Sequence, residues 1–189
     1  MKKIIFLDPS LPHYRIDIYK YFSKEFYING YNFKLFYDKN KKNIENEEGL
    51  FYAINYTFKG LKNLIKYEKP DILFSIVGLK YKFLIPLIVY ARVKNIKFLL
   101  RAHGINLSKK NIFFYQWPYH LRNFLASGIV LYSINERKHI LKNKKKVFIA
   151  NNTINYKGFI TFFDRKEQIK ERFGVSSKKI ILFSGRILS

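Results

Sequence analysis

The 189-residue chain contains no cysteine and only one methionine and one tryptophan. Without cysteine it has no disulfides and no thiolate metal ligands, which fits a reducing compartment such as the cytoplasm. Long apolar runs are also missing. The apolar start ends at Asp8 and Pro9, before the roughly 7 residues of a signal-peptide core, and residues 83–91, interrupted by Pro86, fall short of the roughly 18 of a membrane span. We therefore expect a cytoplasmic protein, either free or peripheral on the inner face of the cell membrane.

Acidic residues are scarce. The chain has 13 Asp and Glu against 36 Lys and Arg, a formal net charge of +23, which predicts an acidic partner or surface. Two interpretations stay open. Lys, Asn, Ile, Phe and Tyr all have AT-rich codons, so base composition alone favours such a chain. A functional basic surface is the other reading, because the excess of lysine is not matched by glutamate.

Aromatic residues are abundant, with 19 Phe and 15 Tyr. Rings beside lysines suit a membrane interface, where ring bodies sit among lipid headgroups. An anionic membrane is therefore a candidate partner, although each ring taken alone is better explained as a core residue. The candidate contacts are Tyr81, Lys82, Phe83, Phe113, Phe114, Tyr115 and Trp117. Nucleic acid is not expected as a partner, because the lysines at 142–146 match no RNA- or DNA-binding motif and lie at a helix end, where cations are favoured anyway.

The hydrophobic pattern alternates between short apolar runs and helical periodicity. Such alternation predicts a doubly wound α/β fold, a mostly parallel sheet with helices on both faces. The expected strands are 3–7, 32–37, 71–76, 97–101, 128–132 and 146–150. The expected helices are 14–28, 58–67, 81–93, 112–125 and 135–142, the second of them stopped by Pro70.

The chain ends in what reads as the start of another sheet. Residues 179–183 are apolar on both faces, and Gly185 follows shortly after, as at the end of a buried parallel strand. We therefore expect a Rossmann-like domain over 1–155, a linker and helix over 156–178, and the first strand of a truncated second domain over 179–189.

One candidate site follows the first strand. Pro12, His13, Tyr14 and Arg15 occupy a loop at the carboxyl end of that strand, where doubly wound folds bind ligands. The helix N-terminus and the Arg15 guanidinium can hold an anionic group such as a lipid-linked phosphate. The alternative is that Pro12 starts the helix and Arg15 is solvated.

A second candidate site follows the strand at 97–101, which leads into Ala102, His103 and Gly104. Glycine lets the backbone turn sharply and approach a ligand closely, while imidazole donates to or accepts from a hydroxyl. A single histidine is usually structural, but this one stands at a strand's carboxyl end before a polar loop. We therefore expect a site residue whose imidazole opens onto a cleft.

Several motifs are absent from the sequence. It has no Asp-x-Asp pair, no Gly-x-x-x-x-Gly-Lys loop and no Gly-x-Ser-x-Gly elbow, which removes the common signatures of a metal clamp, a P-loop and an α/β hydrolase. We expect neither a metal nor a cofactor.

In this order the motifs resemble those of the GT-B glycosyltransferases, in particular the retaining enzymes of family 4. Residues 147–155 are similar to the turn at which that family's first domain passes to its second, with Thr153 in place of glycine and Asn155 in place of aspartate. The resemblance implies a catalytic His103, an acceptor-binding group and a donor-binding group. The acceptor-binding group is His13, Tyr14 and Arg15, and the donor-binding group is Gly104, Gly185 and Arg186.

The resemblance also implies a function: transfer of a hexose from a nucleotide-sugar to a cell-surface glycan or lipid-linked acceptor. Most of the donor domain would be missing, so the chain alone would be inactive. The loop at Asp8, Pro9 and Ser10 departs from the family by lacking its glycines, which argues against donor phosphate contact there. The alternative function is a basic, non-catalytic module that binds an anionic membrane or another polyanion.

Overall fold

The computed structural model describes residues 1–40, 49–106, 113–140 and 146–150, together with 171, 172 and 174. The chain divides into two units, Met1–Ile154 and Asn155–Ser189. Most of the linker expected at 156–178, and all of the strand expected at 179–183, lie outside the described residues. All elements named below belong to the first unit.

One sheet organises this unit, and all of its neighbouring strands run parallel. Across the described residues its order is β3-β2-β1-β4-β5-β6-β7. The chain therefore moves outward from β1 in one direction and outward from β4 in the other. The doubly wound parallel sheet expected from the sequence is confirmed. The strands are β1 (Lys2–Leu7), β2 (Tyr31–Asp38), β3 (Phe51–Ile54), β4 (Ile72–Ser75), β5 (Lys97–Arg101), β6 (Gly128–Leu131) and β7 (Val147–Ile149).

Helices connect the strands and cover both faces of the sheet. They are α1 (Ile16–Ile28), α2 (Phe58–Glu68), α3 (Leu84–Val93) and α4 (Phe113–Leu125), with 3₁₀ segments at His13–Arg15 and Ile134–His139. On one face Tyr19 of α1 packs with Ile4 and Phe6. On the other, α2 and α3 pack over Ile5 and Leu7. Successive β1 residues point to opposite faces, and both sets are buried because helices cover both.

The structure departs from the predicted elements in two places. The strand β3 (Phe51–Ile54) was not expected, because four residues are too few to show a period and a polar stretch precedes them. Where the structure describes the helix expected at 135–142, it has the 3₁₀ segment Ile134–His139, which is polar along most of its length and has no buried residues to hold a longer helix; residues 141 and 142 lie outside the described residues. His103 consequently follows the fifth strand of the sheet rather than the fourth.

The helix α2 has clear signals at both ends. The Thr57 hydroxyl accepts a hydrogen bond from Gly60 N at 3.1 Å, which caps the N-terminus. Lys69 adopts a left-handed backbone with φ +47°, and Pro70 follows it. The predicted stop is therefore confirmed, since proline disfavours helical backbone in the residue before it.

Glu68, at the end of α2, ties that helix to the sheet. Its carboxylate lies 2.9 Å from Lys3 Nζ on β1 and 2.8 Å from Lys34 Nζ on β2. Burial alone would raise the pKa of Glu68, but the hydrogen bonds from Lys34 and Lys3 outweigh it and hold the pKa below its ordinary value of 4.5. The same contact raises the pKa of Lys34. This buried carboxylate is therefore kept ionised by two cations.

Among the described helices, none combines the length and the apolar character that crossing a membrane requires.

Candidate functional site

The carboxyl edge of the sheet is the place where a doubly wound fold binds ligands. Here β1 and β4 are neighbours, and the chain leaves them in opposite directions. Ile76 N donates to Leu7 O at 3.1 Å, so the two strand ends stay paired up to this edge. The loops that follow β1, β4, β5 and β6 all lie at the same edge, and the candidate side chains belong to them.

The loop after β1 is organised by the fully buried carboxylate of Asp8. Its Oδ1 accepts from Ser10 N at 3.0 Å and Leu11 N at 3.2 Å. Its Oδ2 accepts from the Tyr19 hydroxyl at 2.6 Å. Burial and the neighbouring Asp8 carboxylate raise the pKa of Tyr19, which keeps the phenol a donor. Asp8 thus fixes the turn and joins it to α1.

The three predicted acceptor residues form the 3₁₀ segment that leads into α1. Arg15 Nη1 lies 3.5 Å from Asp8 Oδ2, and its guanidinium lies 5.5 Å from the ring centroid of Tyr14, which is more than half exposed. Burial alone would lower the pKa of Arg15, but Tyr19 and Asp8 outweigh it and raise the pKa. The structure therefore brings Tyr14 and Arg15 together, with part of the arginine charge offset by Asp8. The side chain of His13 lies outside the described residues.

His103 is held by a carboxylate that the sequence did not point to. Its Nδ1 lies 2.6 Å from Glu136 Oε1, and Glu136 Oε2 accepts from Tyr132 N at 3.2 Å. The His103 side chain is 51% exposed whereas that of Glu136 is 12% exposed. A carboxylate on Nδ1 selects the tautomer with its proton on that nitrogen. Within the described part of the chain, Nε2 is then the ring nitrogen that a ligand can reach.

Tyr132, directly after β6, packs against this histidine. Its ring centroid lies 4.7 Å from that of His103 and 4.9 Å from the guanidinium carbon of Arg101. Arg101 Nε is buried without a hydrogen-bond partner among the described residues. The end of β5 and the loops after β5 and β6 therefore bring an imidazole, a carboxylate and a guanidinium together at Tyr132.

Gly104 is required for two physical reasons. Its φ is +78°, a left-handed conformation that favours glycine. A Cβ at this position would lie 2.6 Å from Ile140 Cδ1 and 3.3 Å from Leu131 Cδ2. Gly104 is buried, so packing alone accounts for glycine here, and its predicted donor contact remains a prediction.

The inner side of α4 holds the loop after β5 through polar side chains. Gln116 and Asn106 exchange two hydrogen bonds, at 2.9 and 3.0 Å. Asn123 Nδ2 donates to Gly104 O at 2.6 Å, and its Oδ1 accepts from Arg122 at 3.0 Å. Burial lowers the pKa of Arg122 to about 10. The turn that carries His103 is thus held to α4 through Gly104 and Asn106.

A cleft of about 430 Å³ lies between the start of α3 and the start of α4. It is largely apolar and aromatic, with Lys82 and Asn106 as polar residues. His103 is not among its lining residues, so the expectation that the imidazole opens onto a cleft stays a prediction. The lining residues are Leu79, Tyr81, Lys82, Ile85, Asn106, Phe114, Tyr115, Pro118 and Tyr119.

The sequence found part of this arrangement. It singled out His103, Tyr14 and Arg15, which the structure places at the carboxyl edge of the sheet. It missed Asp8 and Glu136. The sequence did contain a signal for Glu136. This residue follows β6 as His103 follows β5, and adjacent parallel strands bring such loops together. The predicted donor residues Gly185 and Arg186 lie outside the described residues.

The proposed membrane residues divide into two groups. Tyr81 and Phe83 pack against the core below α3, whereas Phe114, Tyr115 and Trp117 are exposed. Lys82 belongs to the cleft, and the side chain of Phe113 is outside the described residues.

Across the described ranges, no three His, Asp or Glu side chains are grouped so that they could hold a metal ion. The site chemistry is therefore that of an imidazole oriented by a carboxylate, beside the Tyr132 ring that also contacts the Arg101 guanidinium.

Solved structures with the same fold are numerous, although neither a protein-family model nor a curated protein sequence matches the chain. One is HepE from Anabaena in complex with UDP and glucose, at 14% identity and TM-score 0.58, covering 93% of this chain and 51% of that one. Another is a glycosyltransferase from Rickettsia africae, at 19% identity and TM-score 0.58, covering 93% and 50%. A third is MurG from Acinetobacter baumannii, at 11% identity and TM-score 0.50, covering 72% and 42%.

The chain has the fold of the Rossmann-like N-terminal half of a GT-B glycosyltransferase. It spans about half the length of the GT-B structures that it matches. At these identities the likeness concerns the fold, and the roles of individual GT-B residues are not carried over by it.

Proposed function

We propose that this chain supplies the acceptor-binding half of a glycosyltransferase that moves a hexose from a nucleotide-sugar to a cell-surface glycan or lipid-linked acceptor. The observation that carries the proposal is the His103–Glu136 pair at the carboxyl edge of a GT-B half. Solved GT-B structures of this fold include one with bound UDP and glucose, which supports a nucleotide-sugar as the donor for the complete enzyme.

In this proposal the residues of the site have different roles. With Nδ1–H donated to Glu136, the imidazole of His103 presents Nε2 to a sugar hydroxyl for a hydrogen bond. Glu136 is a positioning residue, because it fixes the ring and not the substrate. Arg101 and Arg15 add positive charge at the same edge, where a diphosphate leaving group or an anionic acceptor would be stabilised.

We propose that the donor site and the acceptor site lie on different halves of the complete enzyme. The chain spans about half of the matched GT-B structures, so we propose that the 189 residues alone bind a saccharide but do not transfer sugar. A lipid-linked acceptor would place the protein on the inner face of the cell membrane, within the cytoplasm.

Saccharide binding by the 189-residue chain tests the proposal. Saturation-transfer NMR against a panel of oligosaccharides is expected to show binding that His103→Ala weakens about tenfold, the value of one hydrogen bond. Glu136→Ala should weaken it similarly, while Glu136→Gln retains binding because the amide oxygen still accepts from Nδ1–H.

The matched control is His139→Ala, which removes a histidine from the same 3₁₀ segment as Glu136 and should leave binding unchanged. Equal loss in the His139 and His103 variants, or no saccharide binding at all, would contradict the acceptor role. Incubation with UDP-glucose and UDP-N-acetylglucosamine is expected to give no turnover. Measurable transfer would show that the second half is not needed.

A further inference from the structure

Arg101, the last residue of β5, has a buried N–H group without a partner. Its guanidinium carbon lies 4.9 Å from the ring centroid of Tyr132. In the described part of the chain, Arg101 Nε is the one buried side-chain nitrogen or oxygen that makes no hydrogen bond. Buried donors are normally paired, because a desolvated N–H without an acceptor is unfavourable. An acceptor for Arg101 is therefore missing from the described protein groups.

The carboxylate that lies in this region is already engaged. Residues 72–135, which contain β5, include no aspartate and no glutamate. Glu136 follows them, and its Oε2 accepts from Tyr132 N while its Oε1 lies 2.6 Å from His103 Nδ1. The ion pair that Glu136 makes in the described part of the chain is with His103. The positive charge of Arg101 is therefore available to a ligand.

Arg15, the other arginine proposed at this edge of the sheet, is in a different state. Its Nη1 lies 3.5 Å from Oδ2 of the fully buried Asp8, so part of its charge is offset within the protein. Arg101 has no such partner among the described residues. Of the two guanidinium groups, Arg101 is therefore the better ligand for an anion.

Arg101 and His103 contact the same aromatic ring. The ring centroid of Tyr132 lies 4.7 Å from that of His103. Because both groups lie within 5 Å of this one centroid, the guanidinium carbon and the imidazole centroid are at most about 10 Å apart. One sugar with a charged substituent can therefore reach both side chains.

The Arg101 side chain can turn toward a ligand at low cost. The residue is partly exposed, although its Nε is buried. No hydrogen bond among the described residues holds the guanidinium where it lies. Once turned outward, a guanidinium pairs two of its N–H groups with two oxygens of a phosphate or a carboxylate. A neutral hydroxyl does not offer that pair of acceptors.

We propose that Arg101 binds the phosphate or carboxylate of an anionic acceptor sugar, with His103 Nε2 on a hydroxyl of the same sugar. The acceptor class, which rests on the proposed function, is then a sugar phosphate or a uronic acid rather than a neutral sugar. The Tyr132 ring holds the guanidinium and the imidazole side by side.

Binding of glucose 6-phosphate, glucuronate and glucose to the 189-residue chain tests this assignment. NMR titrations are expected to show tighter binding of the two anionic sugars, with an affinity that falls as salt is added. Arg101→Met keeps an apolar stem and removes the guanidinium. It should weaken binding of the anionic sugars about tenfold and leave that of glucose unchanged.

The Nε–H resonance of Arg101 reports on the contact directly. It is identified by its absence from the spectrum of the Arg101→Met variant. Glucose 6-phosphate and glucuronate should shift this resonance, whereas glucose should not. A resonance that none of the three sugars shifts would overturn the assignment.

The control for the high net charge of the chain is Arg92→Met. Arg92 is exposed in the last turn of α3, and its replacement lowers the net charge by the same amount as Arg101→Met. It should leave binding of all three sugars unchanged. Equal losses in the two variants would reveal a general attraction of anions to a chain of net charge +23, and the assignment to Arg101 would be wrong.

Two further results count against the assignment. One is inorganic phosphate or UDP that binds as tightly as glucose 6-phosphate, since Arg101 would then hold a free anion or a donor diphosphate. The other is a large fall in the urea midpoint of Arg101→Met, which would make the arginine a structural residue. We expect no such fall, because Nε has no partner to lose.

The same variants distinguish this assignment from the proposed function. His103→Ala should weaken binding of all three sugars. If it does, while Arg101→Met has no effect on the anionic ones, the acceptor role stands and the anionic class is wrong. If Arg101→Met alone weakens binding, the anionic contact stands and the acceptor role of His103 is wrong.

Discussion

Asn123 donates a hydrogen bond to the carbonyl oxygen of Gly104 across 2.6 Å, so a helix side chain fixes the turn that carries His103. The same amide accepts from the buried guanidinium of Arg122. One side chain therefore satisfies two buried groups from different elements.

Replacing Asn123 by alanine is expected to lower the free energy of unfolding by about 2 kcal/mol, because a buried carbonyl and a buried guanidinium each lose a partner. Urea denaturation measures this. Asn63→Ala, on the exposed side of α2, is the control and should change stability by no more than about 0.5 kcal/mol. Similar values for the two variants would show that the Asn123 contact does not hold the turn.

Gly104→Ala is expected to destabilise the fold by about 3 kcal/mol, since the new methyl group meets Ile140 at 2.6 Å and the backbone is left-handed. Gly30 offers a close control. Its φ is +79°, but a Cβ there meets nothing within 4 Å, so Gly30→Ala should cost only the backbone strain of about 1 kcal/mol. Thermal and urea unfolding of both variants gives the difference. If the two costs were equal, the contact with Ile140 would be irrelevant.

Glu68 gives the fold a dependence on acid pH. Because Lys34 and Lys3 hold its pKa below 4.5 in the folded state, the carboxylate stabilises the fold above that value. The contribution is lost as the pH falls through the lower folded pKa. Glu68→Gln should therefore cost about 2 kcal/mol at pH 7 and much less near pH 3. Denaturation curves across this range test it, with Glu25→Gln as the control. A cost independent of pH would contradict the ionic contribution.

Two buried tyrosines allow the contribution of a hydrogen bond to an ionised acceptor to be compared with that of a hydrogen bond to a neutral acceptor. Tyr19 donates to the Asp8 carboxylate at 2.6 Å, whereas Tyr56 donates to the carbonyl of Phe36 at 2.8 Å. Tyr19→Phe is expected to cost about 2 kcal/mol and Tyr56→Phe about 1 kcal/mol, because bonds to ionised acceptors are stronger. Equilibrium unfolding measures both, and a larger cost at Tyr56 would refute the ranking.

The sequence predicted the fold well wherever an element was long or continuously apolar. β5 was placed at 97–101, as observed, and α1, α2 and α4 were each placed to within about two residues. β3 was missed because its four residues carry too little periodic signal, and its position is set by pairing with β2, which no local pattern shows. The 3₁₀ segment Ile134–His139 was taken for a helix because its composition permits one.

The site was harder to predict than the fold, for a physical reason. His103 could be found because a strand end followed by glycine is a local pattern. Glu136 could not, because its role depends on β5 and β6 being neighbours and on a 3₁₀ turn that brings its carboxylate back to within 2.6 Å of the imidazole. Asp8 was read only as a departure from a glycine-rich loop, and its burial was not visible in sequence.

The backbone amide of Asn106 belongs to no strand or helix, yet it donates to Gln116 Oε1 on α4 at 2.9 Å. The amide proton of Asn106 exchanges with deuterated solvent only when its hydrogen bond to Gln116 breaks. Its exchange rate therefore follows the opening of α4 and not the mobility of a surface loop. If the exchange rate of this amide equals that of the amides within α4, the helix and the turn that carries His103 open together. If it is faster, the turn opens separately.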